Sequence, residues 1–164
     1  MYMKKWIMML CVFFSLAGFS QTMPDFELIK MERASDFKAA EPFVIQTAVY
    51  LLSTPIGKKG DNRLKSMQFI FKWMSGTPDH AFILNEMGQQ VGKESQDIFG
   101  VYMAAMSKAA LDHKAVPKDM KVVKLTALNM LLDYCENKAN QIKVTKQVKK
   151  LSEARSRGEL ETLL

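Results

Sequence analysis

Apolar side chains recur at intervals of three and four residues along most of this chain, and this spacing constrains the fold more than any other feature. Such intervals place the apolar residues on one face of a helix. The clearest run is 120–135, and further runs lie at 43–52, 64–74, 98–109 and 144–154. No segment alternates apolar and polar residues as a half-buried strand does. We therefore predict an all-α fold, a single bundle of five to seven helices.

Proline and glycine divide the helical runs and suggest domain bounds. Pro42 suits the first turn of a helix, because the N–H that proline lacks has no partner there. Gly158 suits the position directly after the last helix. We expect a weakly helical N-terminal segment over 21–40, an all-α domain over 41–158 and a C-terminal tail over 159–164.

Two of the helical runs resemble each other. Residues 64–74 read LKSMQFIFKWM and residues 125–135 read LTALNMLLDYC, with apolar side chains at seven equivalent positions. Two stacked αα-hairpins, as in helical-repeat folds, would produce this similarity. Any two buried helices would also look alike, so both explanations stay open.

The first twenty residues have the organisation of a cleavable signal peptide. Lys4 and Lys5 precede a mostly apolar run over 6–18, which is too short for a permanent membrane span. Gly18 and Ser20 place small side chains where signal peptidase requires them for a cut after Ser20. We expect an exported protein, periplasmic or secreted, with no transmembrane segment after cleavage; an uncleaved anchor is the alternative.

Removal of this segment changes both the cysteine content and the charge. Cys11 is lost, so Cys135 remains alone and an internal disulfide cannot form. Two lysines and no acid are lost, so the net charge falls from +6 to +4. Residues 21–137 contain fourteen basic and fourteen acidic side chains, whereas 138–157 contain seven basic ones and a single acid. The excess positive charge therefore belongs to the last helical run.

This last run predicts a basic helix face made of Lys143, Lys146, Lys149, Lys150, Arg155 and Arg157. One interpretation is a solvated face whose cations are stabilised near the C-terminus of the helix. The other is an electrostatic surface for an unknown protein or an anionic envelope component, such as lipid headgroups or an acidic polysaccharide. Nucleic acid would match the charge but not the export signal, so we expect none.

Residues with catalytic or metal-binding potential are few. His80 and His113 are the only histidines, and they lack the spacing of a zinc site. Asp79 beside His80 could form a catalytic pair, but no nucleophile motif accompanies it. Cys135 would need a lowered pKa to act as a nucleophile, whereas its place on an apolar stripe is typical of a core residue. We expect no catalytic residue, no metal and no cofactor.

Three short motifs carry a family resemblance: Tyr50-Leu51-Leu52-Ser53-Thr54-Pro55, Phe71-Lys72-Trp73-Met74-x-Gly76-Thr77-Pro78-Asp79 and Tyr134-Cys135-Glu136-Asn137. Through them the chain resembles a group of small exported helical proteins of Bacteroidetes-type bacteria, over most of the length that follows the signal peptide. The resemblance implies a Gram-negative envelope compartment. It implies no activity and no site residues.

These observations favour an exported, non-enzymatic helical protein that binds a protein or an envelope component. The alternative is a hydrolase or transferase with a site that the sequence does not reveal. A folded structure that gathers Asp79, His80 or Cys135 with other polar groups in one cleft would favour the enzyme.

Overall fold

A computed structural model describes residues 23–56, 60–112 and 120–164. These residues form six α-helices and no strand, which confirms the predicted all-α bundle of five to seven helices. The expected signal peptide and His113 lie outside the described residues. The helices are α1 (Ala34–Ser53), α2 (Asp61–Gly76), α3 (Glu86–Glu94), α4 (Gln96–Asp112), α5 (Met120–Glu136) and α6 (Lys146–Ser156), with short 3₁₀ helices at Lys138–Asn140 and Leu160–Leu163.

Helix α1 begins at Ala34, so the boundary expected at residue 41 falls inside it. Its start is held by Asp36, whose carboxylate accepts the backbone N–H of Arg33 at 3.1 Å. Pro42 therefore lies within the helix and not at its first turn. Buried residues keep helical spacing on both sides of Pro42, and their packing outweighs the hydrogen bond that proline cannot make.

Helix α4 is the centre of the bundle. It packs against α1, α2, α3 and α5, and its buried residues lie on every side of the helix. Small residues allow this close approach. A Cβ atom added to Gly100 would collide with the side chain of Met67 on α2.

Neighbouring helices pair as α1 with α2 and α4 with α5, and α1 packs on α4. The two similar segments lie in α2 and α5. Trp73 and Tyr134, at equivalent positions, both donate a side-chain hydrogen bond to a backbone carbonyl, one near each end of α1. Phe71 and Leu132, also equivalent, are 57% and 0% exposed. The segments share only part of their surroundings, and an internal repeat stays a prediction.

Helix α6 packs on α3 and α5 and completes the bundle. It ends at Ser156, and Gly158 follows the capping residue Arg157 with a φ of 71°, as glycine does after many helices. The backbone N–H of Glu159 bonds back to the carbonyl of Ala154 at 2.8 Å. The segment expected as a tail contacts α5 and α6, with Leu160 buried. Among the described residues, no helix has the length and apolar content needed to cross a bilayer.

Candidate binding surface

Two side chains fix the N-terminus of α6. The hydroxyl of Thr145 accepts the backbone N–H of Val148 at 3.2 Å. The carboxylate of Glu94, at the end of α3, accepts the backbone N–H of Gln147 at 2.8 Å. This second bond is the largest cause of the lowered pKa of Glu94. Glu94 therefore supplies the negative charge that the first turn of α6 lacks.

The residue pattern of α6 separates a buried side from an exposed side. Val148, Leu151 and Ala154 recur at helical spacing and are at most 3% exposed. Lys149 and Lys150 lie between them in sequence and are exposed. The amphipathic pattern thus directs these lysines away from the bundle.

Both arginines of the predicted basic face are paired within the protein. The guanidinium of Arg155 contacts Asp133 at 2.7 Å and Glu136 at 2.5 Å, both on α5. Arg157 pairs with Glu159 at 2.6 Å. Carboxylates of the chain itself therefore offset the charges of both arginines. In this respect the arginines differ from the lysines of the predicted basic face.

The four lysines of the predicted face have different surroundings. Lys143, Lys149 and Lys150 are exposed and form no ion pair with any residue that the structure describes. Lys146 is also exposed, and its charge helps to lower the pKa of nearby Glu94. We call Lys143, Lys146, Lys149 and Lys150 the lysine surface.

Lys146 and Lys149 lie in the first turn of α6, which bears on the interpretation that the cations are stabilised near the C-terminus of the helix. A helix carries partial positive charge at its N-terminus, where cations are unfavourable, and partial negative charge at its C-terminus. Arg155 lies in the last turn, whereas Lys146 is the first residue of the helix. Stabilisation of a helix end therefore accounts for Arg155 but not for Lys146 or Lys149.

A shallow groove of about 440 Å³ lies beside the lysine surface, between the end of α5 and the start of α6. Its lining includes the apolar side chains of Ile142, Val144 and Val148, together with Lys149. Val144 is 57% exposed. A large apolar side chain therefore stands in solvent among the lysines.

Asp79 and His80, considered as a catalytic pair, are directed to different partners. The ring of His80 lies 5.7 Å from that of Trp73 and 6.0 Å from that of Phe82. The carboxylate of Asp79 lies 3.7 Å from the ammonium of Lys38 and is half exposed. His80 thus belongs to an aromatic cluster, whereas Asp79 belongs to a surface ion pair.

Cys135 is only 6% exposed. Burial, followed by the charge of Glu136, raises the pKa of its thiol to about 11. At neutral pH the thiol is therefore protonated and a poor nucleophile. These surroundings are those of a core cysteine.

A buried junction between α1, α2 and α5 was not predicted from the sequence. Arg63 of α2 is 4% exposed and donates to the carbonyl oxygens of Thr54 at 2.9 Å and Leu51 at 3.5 Å. The hydroxyl of Tyr134 on α5 donates to the same Thr54 oxygen at 2.6 Å. We call these four residues the Arg63 junction. Its cation caps the C-terminus of α1, where the partial charge is negative.

Comparison with known proteins supplies no function for this arrangement. Protein-family models, curated proteins and solved structures give no match to the chain. Within residues 23–56, 60–112 and 120–164, no group of three or more His, Cys, Asp or Glu side chains is placed to hold a metal ion. The role of the lysine surface therefore rests on its own geometry.

Proposed function

We propose that this is an exported, non-enzymatic helical protein that binds an anionic partner through the lysine surface. One contrast carries the proposal: Arg155 and Arg157 are paired with carboxylates, whereas Lys143, Lys149 and Lys150 form no ion pair with any residue that the structure describes. Exposed cations clustered on one face create a positive potential that attracts anions. The partner is a protein or an anionic component of the envelope.

Export is supported by the charge and apolar pattern of residues 1–20. The resemblance carried by the motifs at 50–55, 71–79 and 134–137 points to the same compartment. Membranes, acidic polysaccharides and envelope proteins are present there, whereas nucleic acid is not an expected partner.

A hydrolase or transferase would need a cleft where a nucleophile or an acid–base pair meets other polar groups. Cys135 is buried with a raised pKa, and His80 lies against aromatic rings. Among the described residues no observation favours such a site, so the binding protein remains the proposal.

Neutralisation of the lysine surface tests this function. The test variant carries Lys143→Gln, Lys149→Gln and Lys150→Gln. A matched control removes three exposed lysines that lie outside α6, through Lys30→Gln, Lys65→Gln and Lys72→Gln. Binding of each purified protein to Gram-negative envelope membranes is measured by sedimentation at low and at high salt.

We expect the lysine-surface variant to bind at least about tenfold more weakly at low salt, while the control variant keeps most of its binding. High salt should weaken the wild type toward the level of the lysine-surface variant. Equal binding by the wild type and the two variants would overturn the proposal.

A further inference from the structure

We infer that the partner of the lysine surface is a bilayer containing anionic phospholipid, with α6 and the segment before it facing the headgroups. This inference rests on the proposed function and names its partner. The type of cation, the lysine-rich segment 137–152 without an acidic residue and an exposed valine all favour a lipid surface over an acidic protein.

The cations that remain available are lysines. An acidic protein patch is recognised best by arginine, because its planar guanidinium binds a carboxylate through two directed hydrogen bonds. Arg155 and Arg157 are already occupied by carboxylates of this chain. A lysine ammonium is a point charge on a flexible stem, so its attraction to a fluid layer of headgroups requires no fixed geometry.

The segment 137–152 contains five lysines and no acidic residue. Its fifth lysine, Lys138, is exposed and lines the groove beside the lysine surface. The carboxylates of Glu136 and Glu94 lie close by, and each is engaged by partners within the protein. Glu153 is exposed on α6 four residues after Lys149, and its negative charge acts on Arg157. A continuous positive segment of this kind is attracted to the negative surface of a bilayer.

Val144 adds an apolar contact within this positive segment. Its side chain is 57% exposed, and the neighbouring Ile142 packs only partly against the core. A protein that lies on a membrane buries such side chains near the acyl chains, while lysines extend their stems to the headgroups. Lysines around an exposed valine therefore match the layered chemistry of a bilayer surface.

Vesicle binding by the chain from Gln21 onward tests the inference. Vesicles of phosphatidylcholine with phosphatidylglycerol are compared with vesicles of phosphatidylcholine alone. We expect binding only to the anionic vesicles, and weaker binding at high salt. A lysine near such a surface contributes roughly fivefold to partitioning, so Lys143→Gln, Lys149→Gln and Lys150→Gln together should lower it roughly 100-fold. The matched control at Lys30, Lys65 and Lys72 should lower it by less than about threefold, since these lysines lie outside the surface.

A tryptophan reporter tests the orientation on the membrane. In Val144→Trp, the new indole should shift its emission to the blue when anionic vesicles are added, because it enters the interface. The native Trp73 is 0% exposed and should contribute a constant signal. Phe71→Trp, at a position on α2 that is also 57% exposed, should show no shift. A shift in both variants, or in neither, would overturn the orientation that we infer.

Failure of the lipid inference differs from failure of the proposed function. Suppose that the protein does not bind anionic vesicles but does bind envelope membranes through the lysine surface. Suppose also that protease treatment of those membranes removes the binding. The partner is then an envelope protein, and only the lipid inference is wrong. If neither vesicles nor envelope membranes bind in a way that depends on the lysine surface, both proposals are wrong.

Discussion

Two positively charged regions of this protein have opposite surroundings. In the Arg63 junction, an arginine that is 4% exposed donates to the carbonyls of Leu51 and Thr54 and to the Tyr134 hydroxyl, where α1, α2 and α5 meet. In the lysine surface, ammonium groups lie in solvent at the edge of the bundle. A buried cation needs acceptors in place of its water, and a guanidinium is more weakly hydrated than an ammonium. The two terminal nitrogens of Arg63 have such acceptors, whereas its buried Nε has no hydrogen-bond partner among the described residues. The first region stabilises the fold, whereas the second is exposed to solvent.

Arg155 lies between these two extremes. Its side chain is 25% exposed, and it joins α6 to Asp133 and Glu136 on α5. This pairing therefore holds α6, which carries most of the lysine surface, against α5. Arg155 itself is not part of that surface.

The largest loss of stability is expected when the hydrogen bonds of the Arg63 junction are removed. Arg63→Met keeps an apolar stem but removes donors from the carbonyls of Leu51 and Thr54, so the free energy of unfolding should fall by about 2 kcal/mol. Tyr134→Phe removes one donor and should cost about 1 kcal/mol. Urea denaturation measures both changes. An unchanged midpoint for Arg63→Met would refute the capping role.

Removal of Arg155 should have a smaller effect on the free energy of unfolding. Arg155→Ala should lower the free energy of unfolding by about 1 kcal/mol, because the carboxylates that it contacts are substantially exposed. A double-mutant cycle with Glu136→Ala separates the ion pair from the loss of the arginine stem. A coupling free energy near zero would show that this contact does not fasten α6.

The pH dependence of stability tests the role of Glu94 at the start of α6. In the folded protein its pKa is lowered from the ordinary value of 4.5, chiefly by the Gln147 N–H. Its contribution is therefore fully present above pH 4.5 and is lost as the pH falls through the lowered pKa. Glu94→Gln should be less stable than wild type near neutral pH, and the difference should shrink as the pH falls below 4.5 through the lowered pKa. An equal difference near neutral pH and in this acidic range would contradict this linkage.

The smallest effect on stability is expected at the lysine surface. Lys149→Gln and Lys150→Gln remove exposed groups that form no ion pair with described residues, so each should change the free energy of unfolding by less than about 0.5 kcal/mol. Thermal or urea unfolding measures the change. A loss as large as that for Arg63→Met would mean that both charged regions are structural.

Local periodicity was enough to predict the helical architecture, because buried residues in a helix recur at fixed intervals. It failed at the start of α1, where Pro42 resembled a first-turn residue and the actual start is held by Asp36. The burial of Arg63 was beyond sequence reasoning, because its acceptors belong to the end of α1 and to Tyr134, 71 positions away along the chain.

The candidate surface was predicted in part. Charge counting located the basic helix but treated its lysines and arginines alike. Only the fold shows that Asp133 and Glu136 reach Arg155, since those acids lie on a different helix. The helical spacing of Val144 with Val148 and Leu151 predicted a buried side chain at position 144, whereas the structure exposes 57% of it.

A residue-by-residue map of membrane contact tests the central claim most directly. Backbone amide NMR signals of the chain from Gln21 onward would be followed while bicelles containing phosphatidylglycerol are added. We predict that the perturbed amides cluster in 138–150 and that those of α2 stay unchanged. Perturbation centred on α2, or on the exposed apolar residues Leu28, before α1, and Phe43, within α1, would contradict the assignment of the lysine surface as the binding face.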